Sequence, residues 1–348
     1  MKSYAYTVFI GRFQPFHLGH LYNIQQALKI SHRIIIIIGS AFRAPSIKNP
    51  FSFQLRKQMI MADLSYAKID LARIIIAPVC DWLYDEKRWK EEVHLQVYQH
   101  AATDDLVAII GHQKDASSYY LKYFPDWPHI AVDNYQGLSA TDFRQYYFTE
   151  SEIPQEYMVA NTSDQGAFKA LVNFKSTEVF QNLCQEYQMV SAYRKSWQSA
   201  PFQPIFVTVD AMVIVNHQML LIQRKYPPAK DLWALPGGFL EPKERIIDGV
   251  LRELFEETQI GVSQQHLQQH HYETCVFDYP DRALIGRVVT HLGLFIIPGV
   301  NLPAVAADDD AKMAKWFDLS TICDKMSTQL MDDHYQIIRY MLKKHQLF

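Results

Sequence analysis

GRFQPFHLGH occupies residues 11–20 and directly follows a run of β-forming residues at positions 4–10. A helical pattern follows over residues 18–30, so this string spans the turn from a first strand into a first helix. His17 and His20 lie three residues apart at the helix start, and their imidazoles therefore share one face. The unpaired N–H groups of a helix N-terminus favour anions. The string thus predicts a small anion-binding cage.

Other residues of the string suit a phosphate ligand. Gly19 keeps side-chain bulk away from the backbone, and Arg12 offers a permanent cation that can bond phosphate through two N–H groups. The alternative is a pair of histidines that are merely packed or solvated at a helix start. A second motif, LSATDFR at residues 138–144, favours the anion site. Its Ser and Thr can cap a helix, and its Arg lies in the first turn.

The pattern around these motifs predicts a doubly wound, Rossmann-like parallel sheet. Strand-like runs at residues 33–38, 72–77 and 106–110 alternate with helical patterns at residues 53–64 and 87–99. Ligands of such sheets bind beyond the carboxyl ends of the strands. Gly11, Gly39 and Gly111 all fall at such ends.

Together the two motifs resemble the nucleotidyltransferase superfamily, and GRFQPFHxGH is similar to its nicotinamide mononucleotide (NMN) adenylyltransferase branch. Similarity continues through GSAFRAPSIKNPFS (residues 39–52) and PVCDWLYDEKRW (residues 78–89), and covers most of residues 1–150. It implies that ATP and the mononucleotide are substrates, that His17 and His20 act on the triphosphate, and that Arg144 and Lys48 hold the outer phosphates. The other implied substrate-binding residues are Gly11, Arg12, Phe13, Gly19, Gly39, Ser40, Asn49, Asp81, Trp89, Gly111, Ser139 and Thr141.

Within that resemblance, Trp89 is a candidate to stack on the nicotinamide ring, with Asp81 nearby. The alternative is an aromatic residue of the core. GHQKD (residues 111–115) is a candidate for the adenosine pocket. The implied reaction is attack of the mononucleotide's 5′-phosphate on the α-phosphate of ATP. It needs no general base, because this phosphate is already ionised near neutral pH. Positioning, charge stabilisation and Mg²⁺ bridging the phosphates suffice.

The pattern changes after about residue 149. Residues 181–203 are predicted to connect an N-terminal domain (1–180) to a C-terminal domain (204–348). Strand-like runs at residues 205–215, 219–224, 272–277 and 287–297 surround one strong helix at residues 243–258, and a last helix is predicted at residues 332–345. This arrangement predicts an α+β domain.

Three glutamates share one face of the strong helix. Glu253, Glu256 and Glu257 stand at i, i+3 and i+4, where like charges destabilise an isolated helix. Hard divalent cations favour such carboxylate sets. The alternative is an ordinary solvated helix face. The preceding Gly237–Gly238 pair permits a tight turn that brings a strand against the helix.

GFLEPKERIIDGVLRELFEETQI (residues 238–260) resembles the Nudix box at every charged position, and the resemblance covers about residues 204–330. It implies Glu253 and Glu257 as the main ligands of Mg²⁺ or Mn²⁺, assisted by Glu256 and Glu241. The cation would promote attack of water on a nucleoside diphosphate linked to another group. Gln259 replaces the family's glycine, which normally ends the helix in a left-handed turn, so the following loop is expected to differ.

Two flanking segments refine the substrate. FDYPDRALIGR (residues 277–287) resembles a segment of Nudix domains that handle ADP-ribose, which implies substrate contacts from Arg282 and Arg287; Ile285 stands where a second arginine is usual. AADDDA (residues 306–311) lies where a loop acid commonly assists the attacking water. The alternative is a solvated acidic turn.

Composition narrows the setting. A net charge of −3 predicts no nucleic-acid partner, and four scattered cysteines suit a reducing cytoplasm. The first residues lack a signal-peptide pattern and the longest aliphatic run is too short to span a bilayer, so we predict a cytoplasmic enzyme. Oligomer formation stays open. Two alternative functions also stay open. The Nudix half would sense ADP-ribose without cleaving it, or the N-terminal half would adenylylate phosphopantetheine or flavin mononucleotide instead of the nicotinamide mononucleotide.

Overall fold

A computed structural model describes residues 3–111, 122–133, 135–160, 165–299 and 301–348. The chain divides into two compact units, Met1–Cys184 and Gln185–Phe348. The division falls within one long helix, α6 (Glu178–Ser196), which overlaps the stretch predicted as the interdomain connection. Within the described ranges, no helix is both long and apolar enough to cross a membrane.

Five parallel strands form the sheet of the N-terminal unit. They are β1 (Tyr4–Gly11), β2 (Ser31–Ile38), β3 (Ile74–Pro78), β4 (Val107–Gly111) and β5 (His129–Ala131), in the order β3-β2-β1-β4-β5. The helices are α1 (Leu18–Ile30), α2 (Phe53–Tyr66), α3 (Glu86–Tyr98), α4 (Ala140–Thr149) and α5 (Gly166–Lys175), followed by the start of α6. The predicted doubly wound, Rossmann-like α/β fold is confirmed.

Strand β2 contains five consecutive isoleucines, which suit its inner position in the sheet. All five, residues 34–38, are fully buried between the helical layers, as expected for an inner parallel strand. Strand β1 lies beside it, with β4 on its other side. The strands that follow β1 in sequence lie first on one side of it (β2 and β3) and then on the other (β4 and β5). In such sheets a crevice forms at the reversal, here where β1 and β4 end at Gly11 and Gly111.

Helix α5 packs on α2 through a buried acid. Asp63 is 1% exposed, and its Oδ1 accepts a hydrogen bond of 2.8 Å from the backbone N–H of Ala167 in the first turn of α5. Gly166 has a φ of +57°, and a Cβ there would lie 2.1 Å from the same oxygen, so only glycine fits. Among the described residues Asp63 Oδ2 has no hydrogen-bond partner. Burial raises the pKa of Asp63 from 3.8 to about 7.

This pKa predicts a pH-dependent stability. Because the folded chain retains a proton on Asp63 that the unfolded chain has released, stability contributed by this group is full below about pH 4 and is lost as pH rises toward 7. Asp63→Asn should weaken that pH dependence, since each pKa unit corresponds to about 1.4 kcal/mol. Urea unfolding of the intact chain from pH 5 to 8 measures it. An Asp63→Asn variant that keeps the wild-type pH dependence would contradict the assignment.

The C-terminal unit is built on a mixed sheet. Its strands are β6 (Ile205–Val215), β7 (Gln218–Arg224), β8 (Trp233–Ala234), β9 (Gly237–Phe239), β10 (His271–Phe277), β11 (Arg287–Ile297) and β12 (Ala311–Asp318). The main order is β10-β11-β6-β7-β12, with β8 on β7 and β9 on β6. Only β6 and β11 pair in parallel among these described strands. The helices are the end of α6, then α7 (Ile246–Thr258), α8 (Gln264–Gln269), α9 (Leu319–Lys325) and α10 (His334–Lys344).

The predicted α+β Nudix-type architecture is confirmed, with differences in detail. Helix α7 begins at Ile246, three residues after the predicted start, because Glu244 turns back to bond Arg252. Sequence patterns did not reveal β12, an edge strand in which only Ala311 is buried. Leu251 and Leu254 of α7 pack against Val213 of β6 in the core of this unit.

Candidate active sites

His17 and His20 lie against each other at the start of α1, with their rings tilted by 31°. Their ring centroids lie 3.7 Å apart. His17 Nδ1 accepts from the N–H of Gly19 at 3.1 Å, and His20 Nδ1 accepts from the N–H of His17 at 3.3 Å. This is a capping box built from two imidazoles. Since Nδ1 accepts in both neutral rings, each proton must sit on Nε2, so both rings offer an Nε2–H donor.

The loop between β1 and α1 is braced by contacts to Phe51 and Arg144 and by the packing of its own Phe13. Gln14 is 2% exposed; its amide donates to the carbonyl of Phe51 and accepts from the N–H of Phe51, both at 3.0 Å. Arg144 donates to the carbonyl of Gln14 at 2.8 Å and to Thr141 Oγ1 at 3.2 Å. Phe13 is buried with a φ of +51°, and its ring meets that of His20 edge-on. The loop is therefore held from two later segments of the chain.

Cationic side chains converge here. Arg12 is exposed, and its charge helps to lower the pKa values of Arg144 and Arg56, each to about 10, after burial as the main cause. Ser139 caps α4, because its Oγ accepts from the N–H of Thr141 at 3.2 Å. This helix start therefore lies with Arg144 beside the histidine loop, as an anion site requires.

Residues after β2 form the opposite side of this region. Gly39 donates its N–H to the carbonyl of Gly11 at 2.9 Å. Asp81 accepts from the N–H of Ser40 at 3.0 Å and from its hydroxyl at 2.6 Å, and Arg43 lies 3.4 Å away. Asp81 is therefore fixed in place.

The remaining predicted residues of this unit are less closely linked to the histidines. Trp89 packs against the core and meets Tyr123 and Phe124 edge-on or tilted, so stacking on a substrate ring stays a prediction. Lys48 is partly buried, whereas Asn49 is 7% exposed with Oδ1 unpartnered among the described residues. Gly111 ends β4; residues 112–115 of the predicted adenosine segment lie outside the described residues.

In the C-terminal unit, β9 brings a buried acid pair together. Glu257 is 3% exposed, and its Oε2 accepts from the N–H of Gly237 at 2.8 Å. A Cβ on Gly237 would lie 2.2 Å from Asp210 Oδ1, so this carboxyl flanks the same glycine. Burial, with further repulsion from Glu253 and Asp210, raises the pKa of Glu257 to about 8. Burial likewise raises the pKa of Asp210 to about 7.

Arg252 links the other glutamates of α7. Its guanidinium donates to Glu244 at 2.8 and 3.0 Å, to Glu253 at 2.8 Å and to Glu256 at 2.9 Å. Through these contacts Arg252 and Glu244 brace the loop before α7 against the helix. Glu241 is exposed, and its N–H donates to Glu244 at 3.2 Å.

Two observations indicate that the carboxyl groups around α7 are suited to bind a divalent cation. A Cβ on Gly238 would lie 2.5 Å from Glu253 Oε1, so the glycine leaves space that a carboxylate fills. Burial, with added repulsion from Glu253 and Asp210, raises the pKa of Glu257, and a cation would relieve that repulsion, since carboxylate oxygens are ligands that Mg²⁺ and Mn²⁺ prefer. In the described part of the chain, no three acidic, His or Cys side chains already form a metal-binding cluster. Arg252 instead engages Glu253 and Glu256, two of the four predicted cation ligands.

Gln259 ends α7 in the left-handed conformation that the family's glycine would adopt. Its φ and ψ are 41° and 38°. Its amide donates to Asp308 Oδ2 at 2.6 Å, and the N–H of Ala306 bonds the carbonyl of Thr258 at 2.9 Å. The side-chain bond to the acidic turn offsets part of the backbone strain, and a difference in the following loop stays a prediction.

The two predicted arginines have internal partners. Arg282 is 6% exposed and bonds both oxygens of Asp333, at 2.9 and 3.0 Å, and also Thr290. Arg287 bonds the carbonyl of Asp278. Their substrate contacts stay predictions, and for Arg282 the buried pair is a competing structural role.

Sequence reasoning missed Arg56 and Asp210. Arg56 gave no pattern beyond a single arginine in a helix, and Asp210 stood alone within a hydrophobic strand. Only the tertiary contacts place each beside a candidate site.

Comparison with known proteins covers both units. Residues 8–146 match the family model for cytidylyltransferase-like proteins, and residues 204–341 match that for the NUDIX domain. A nicotinamide/nicotinic acid mononucleotide adenylyltransferase of Acinetobacter baylyi is 39% identical over 189 residues, which is 54% of this chain and 96% of the relative. An ADP-ribose pyrophosphatase of Methanocaldococcus jannaschii is 36% identical over 140 residues, 40% of this chain and 75% of the relative.

One similar solved structure spans both units. It is a bifunctional NMN adenylyltransferase/ADP ribose pyrophosphatase from Francisella tularensis, with a TM-score of 0.95 and 48% identity, covering 98% of this chain and 99% of that one. A second structure under the same description, at 47% identity and a TM-score of 0.94 with 98% and 99% coverage, is complexed with AMP and a Mn ion. The resemblances seen in the sequence are confirmed, and the chain belongs to the family of bifunctional NMN adenylyltransferases/ADP-ribose pyrophosphatases.

Proposed function

We propose that the N-terminal unit joins NMN to the adenylyl group of ATP, and that the C-terminal unit hydrolyses ADP-ribose to AMP and ribose 5-phosphate. The observation that carries the proposal is the presence, in one chain, of paired Nε2–H donors beside arginines and of crowded carboxyls suited to a cation. The first arrangement suits a phosphate chain, and the second suits a cation acting on a diphosphate. The names of the similar proteins support both activities.

In the N-terminal unit, the 5′-phosphate oxygen of NMN attacks the α-phosphorus of ATP. A new P–O bond forms, the bond to the β-phosphate oxygen breaks, and pyrophosphate leaves with the electron pair. His17 and His20 donate Nε2–H to the oxygens where charge builds, while Arg12, Arg144 and Lys48 hold the outer phosphates. The helix start capped by Ser139 adds backbone donors.

In the C-terminal unit, Glu253 and Glu257 would hold Mg²⁺ or Mn²⁺, with Glu256 and Glu241 assisting. A bound cation supplies a Lewis acid that polarises the diphosphate and lowers the pKa of water. Gly237 orients Glu257 through its N–H, and Arg252 restrains Glu253 and Glu256. Water attacks one phosphorus of the diphosphate and loses a proton, the P–O bond from that phosphorus to the bridging oxygen breaks, and AMP and ribose 5-phosphate separate.

Asp309 is the best-placed acid of the 306–311 turn to accept a proton from that water. Its charge contributes to raising the pKa of Glu253, where burial is the main cause, so it faces the carboxylate cluster. Asp308 instead accepts from the N–H of Asp309 at 2.8 Å and from Gln259, contacts that lower its pKa and make it a weaker base.

Asp309→Asn should therefore lower kcat for ADP-ribose hydrolysis by about 10²-fold, the lower end for a general base. Asparagine tolerates the φ of +50° at this position, so the turn should persist. Asp310→Asn is the matched control and should keep near-wild-type activity. Equal losses in both variants would show that the turn's overall charge matters rather than Asp309.

Product analysis tests the function itself. With ATP and Mg²⁺, the chain should convert NMN to NAD faster than it adenylylates phosphopantetheine or flavin mononucleotide. With Mn²⁺ or Mg²⁺ it should release AMP from ADP-ribose. Absence of NAD would refute the first activity, and tight ADP-ribose binding without AMP would identify a sensor instead.

A further inference from the structure

Arg56 of α2 is a buried cation to which the reaction outlined above assigns no task. It is 1% exposed. Its Nη1 donates to the carbonyls of Arg12 and Gly39, both at 2.7 Å, and its Nη2 to the carbonyl of Ser40 at 2.9 Å. Its Nε donates to the carbonyl of Ser52 at 3.3 Å. One planar group thus joins three separate segments of backbone.

Two of those segments directly follow neighbouring strands. Arg12 follows β1, and Gly39 with Ser40 follows β2. Ser40 has a φ of +50°, a conformation that costs free energy in a residue with a side chain. Ser40 in turn donates two hydrogen bonds to Asp81. Arg56 therefore fixes the turn that presents Arg12 and, through Ser40, the position of Asp81.

The guanidinium of Arg56 makes all its hydrogen bonds within the described residues to main-chain carbonyls, and none to a carboxylate. Burial, then the nearby Arg12, lowers its pKa to about 10, against an opposing effect of Asp81. The group thus stays protonated at neutral pH. A positive charge held beneath the loop in a region of low dielectric acts more strongly on an anion than the same charge in water.

We propose that Arg56 is a positioning residue for adenylyl transfer: it aligns the turns after β1 and β2 and adds a buried positive charge behind the triphosphate. The proposal rests on the proposed function of the N-terminal unit. Its two parts have different kinetic consequences. Arg12 holds the phosphates that leave as pyrophosphate, where negative charge grows in the transition state, so its alignment mainly affects kcat. The buried charge acts on bound ATP in both states and hence on KM.

Arg73 offers a matched control. It donates to three main-chain carbonyls, compared with four for Arg56: those of Leu28 at 2.7 Å, Ser31 at 2.9 Å and His32 at 2.8 Å. These contacts lie where β2 begins, whereas Arg56 acts where β2 ends. Removing Arg73 thus removes a similar set of bonds about 25 Å away along the strand.

The experiment compares Arg56→Lys, Arg56→Met and Arg73→Met in the full chain. The lysine variant retains the charge without the planar fork, so kcat for NAD formation should fall about 10-fold or more with KM for ATP near wild type. The methionine variant should show the same loss of kcat together with a KM for ATP raised about 10-fold. Arg73→Met should leave both constants near wild type, and ADP-ribose hydrolysis should be unchanged throughout.

Amide hydrogen exchange over β1 and β2 separates positioning from loss of fold. The proposal is overturned if either Arg56 variant keeps wild-type kcat and KM. It is also overturned if activity falls only in proportion to lost amide protection and falls equally in Arg73→Met. A wild-type chain that forms no NAD would instead refute the proposed function on which it rests.

Discussion

Replacing His20 with alanine is expected to lower kcat for NAD formation by roughly 10²–10³-fold, the loss typical of removing one donor to a developing negative charge. The physical reason is the fixed proton arrangement. His20 Nδ1 accepts from the N–H of His17, which leaves Nε2–H to donate toward the phosphates. Steady-state assays with ATP, Mg²⁺ and NMN measure the loss, and ADP-ribose hydrolysis should stay at the wild-type rate.

Two further variants separate chemistry from helix capping. His17→Asn keeps an oxygen that can accept from the N–H of Gly19, so α1 should remain capped. The Nε2–H donor of His17 is lost. We expect it to be folded and nearly as inactive as His20→Ala. His32→Ala, at an exposed position in β2, should have no effect. An active His17→Asn chain would show that this imidazole serves the helix and not the phosphates.

Glu257→Gln is expected to lower ADP-ribose hydrolysis by about 10²–10³-fold or more, because it removes a charged ligand of the cation. The amide oxygen can still accept from the N–H of Gly237, so the local structure should persist. Replacing a crowded acid with a neutral group should also stabilise the metal-free chain above pH 8, where the carboxyl of Glu257 is ionised. Thermal unfolding with and without Mn²⁺ measures this, and the stabilisation by Mn²⁺ should shrink.

Asp324→Asn provides the control for that experiment. Asp324 is exposed on α9 of the same unit, and its loss changes the net charge equally. It should retain hydrolysis and the response to Mn²⁺. If Glu257→Gln hydrolyses ADP-ribose at the wild-type rate, the assignment of the cation ligands is wrong.

The fold was readable from local patterns wherever one pattern dominated. The isoleucine run of β2 could only be an inner strand, and α1 occupies residues 18–30 as predicted, since the motif before it supplies its own cap. Helix starts that depend on side-chain contacts outside the local pattern were less predictable. Helix α7 starts later than its amphipathic pattern suggests, because Glu244 is drawn to Arg252.

The sites were predictable to the extent that their residues are close in sequence. The histidine pair and the glutamates of α7 each lie within a few positions, so spacing alone predicted their shared face. Contacts between distant segments were not predictable from spacing. Arg282 bonds Asp333 from 51 positions away, and Arg56 reaches Arg12 from 44 positions away. In both, the deciding fact is which carboxylate or carbonyl the fold brings to a buried guanidinium.

One chain thus carries two independent phosphate-handling sites. Phosphorus NMR of mixtures containing ATP, NMN, ADP-ribose and Mg²⁺ tests this directly, with the wild type, His20→Ala and Glu257→Gln compared in parallel. We predict that the wild type forms NAD, pyrophosphate, AMP and ribose 5-phosphate, that His20→Ala forms only the last two, and that Glu257→Gln forms only the first two. Loss of all four products on either single substitution would contradict the claim.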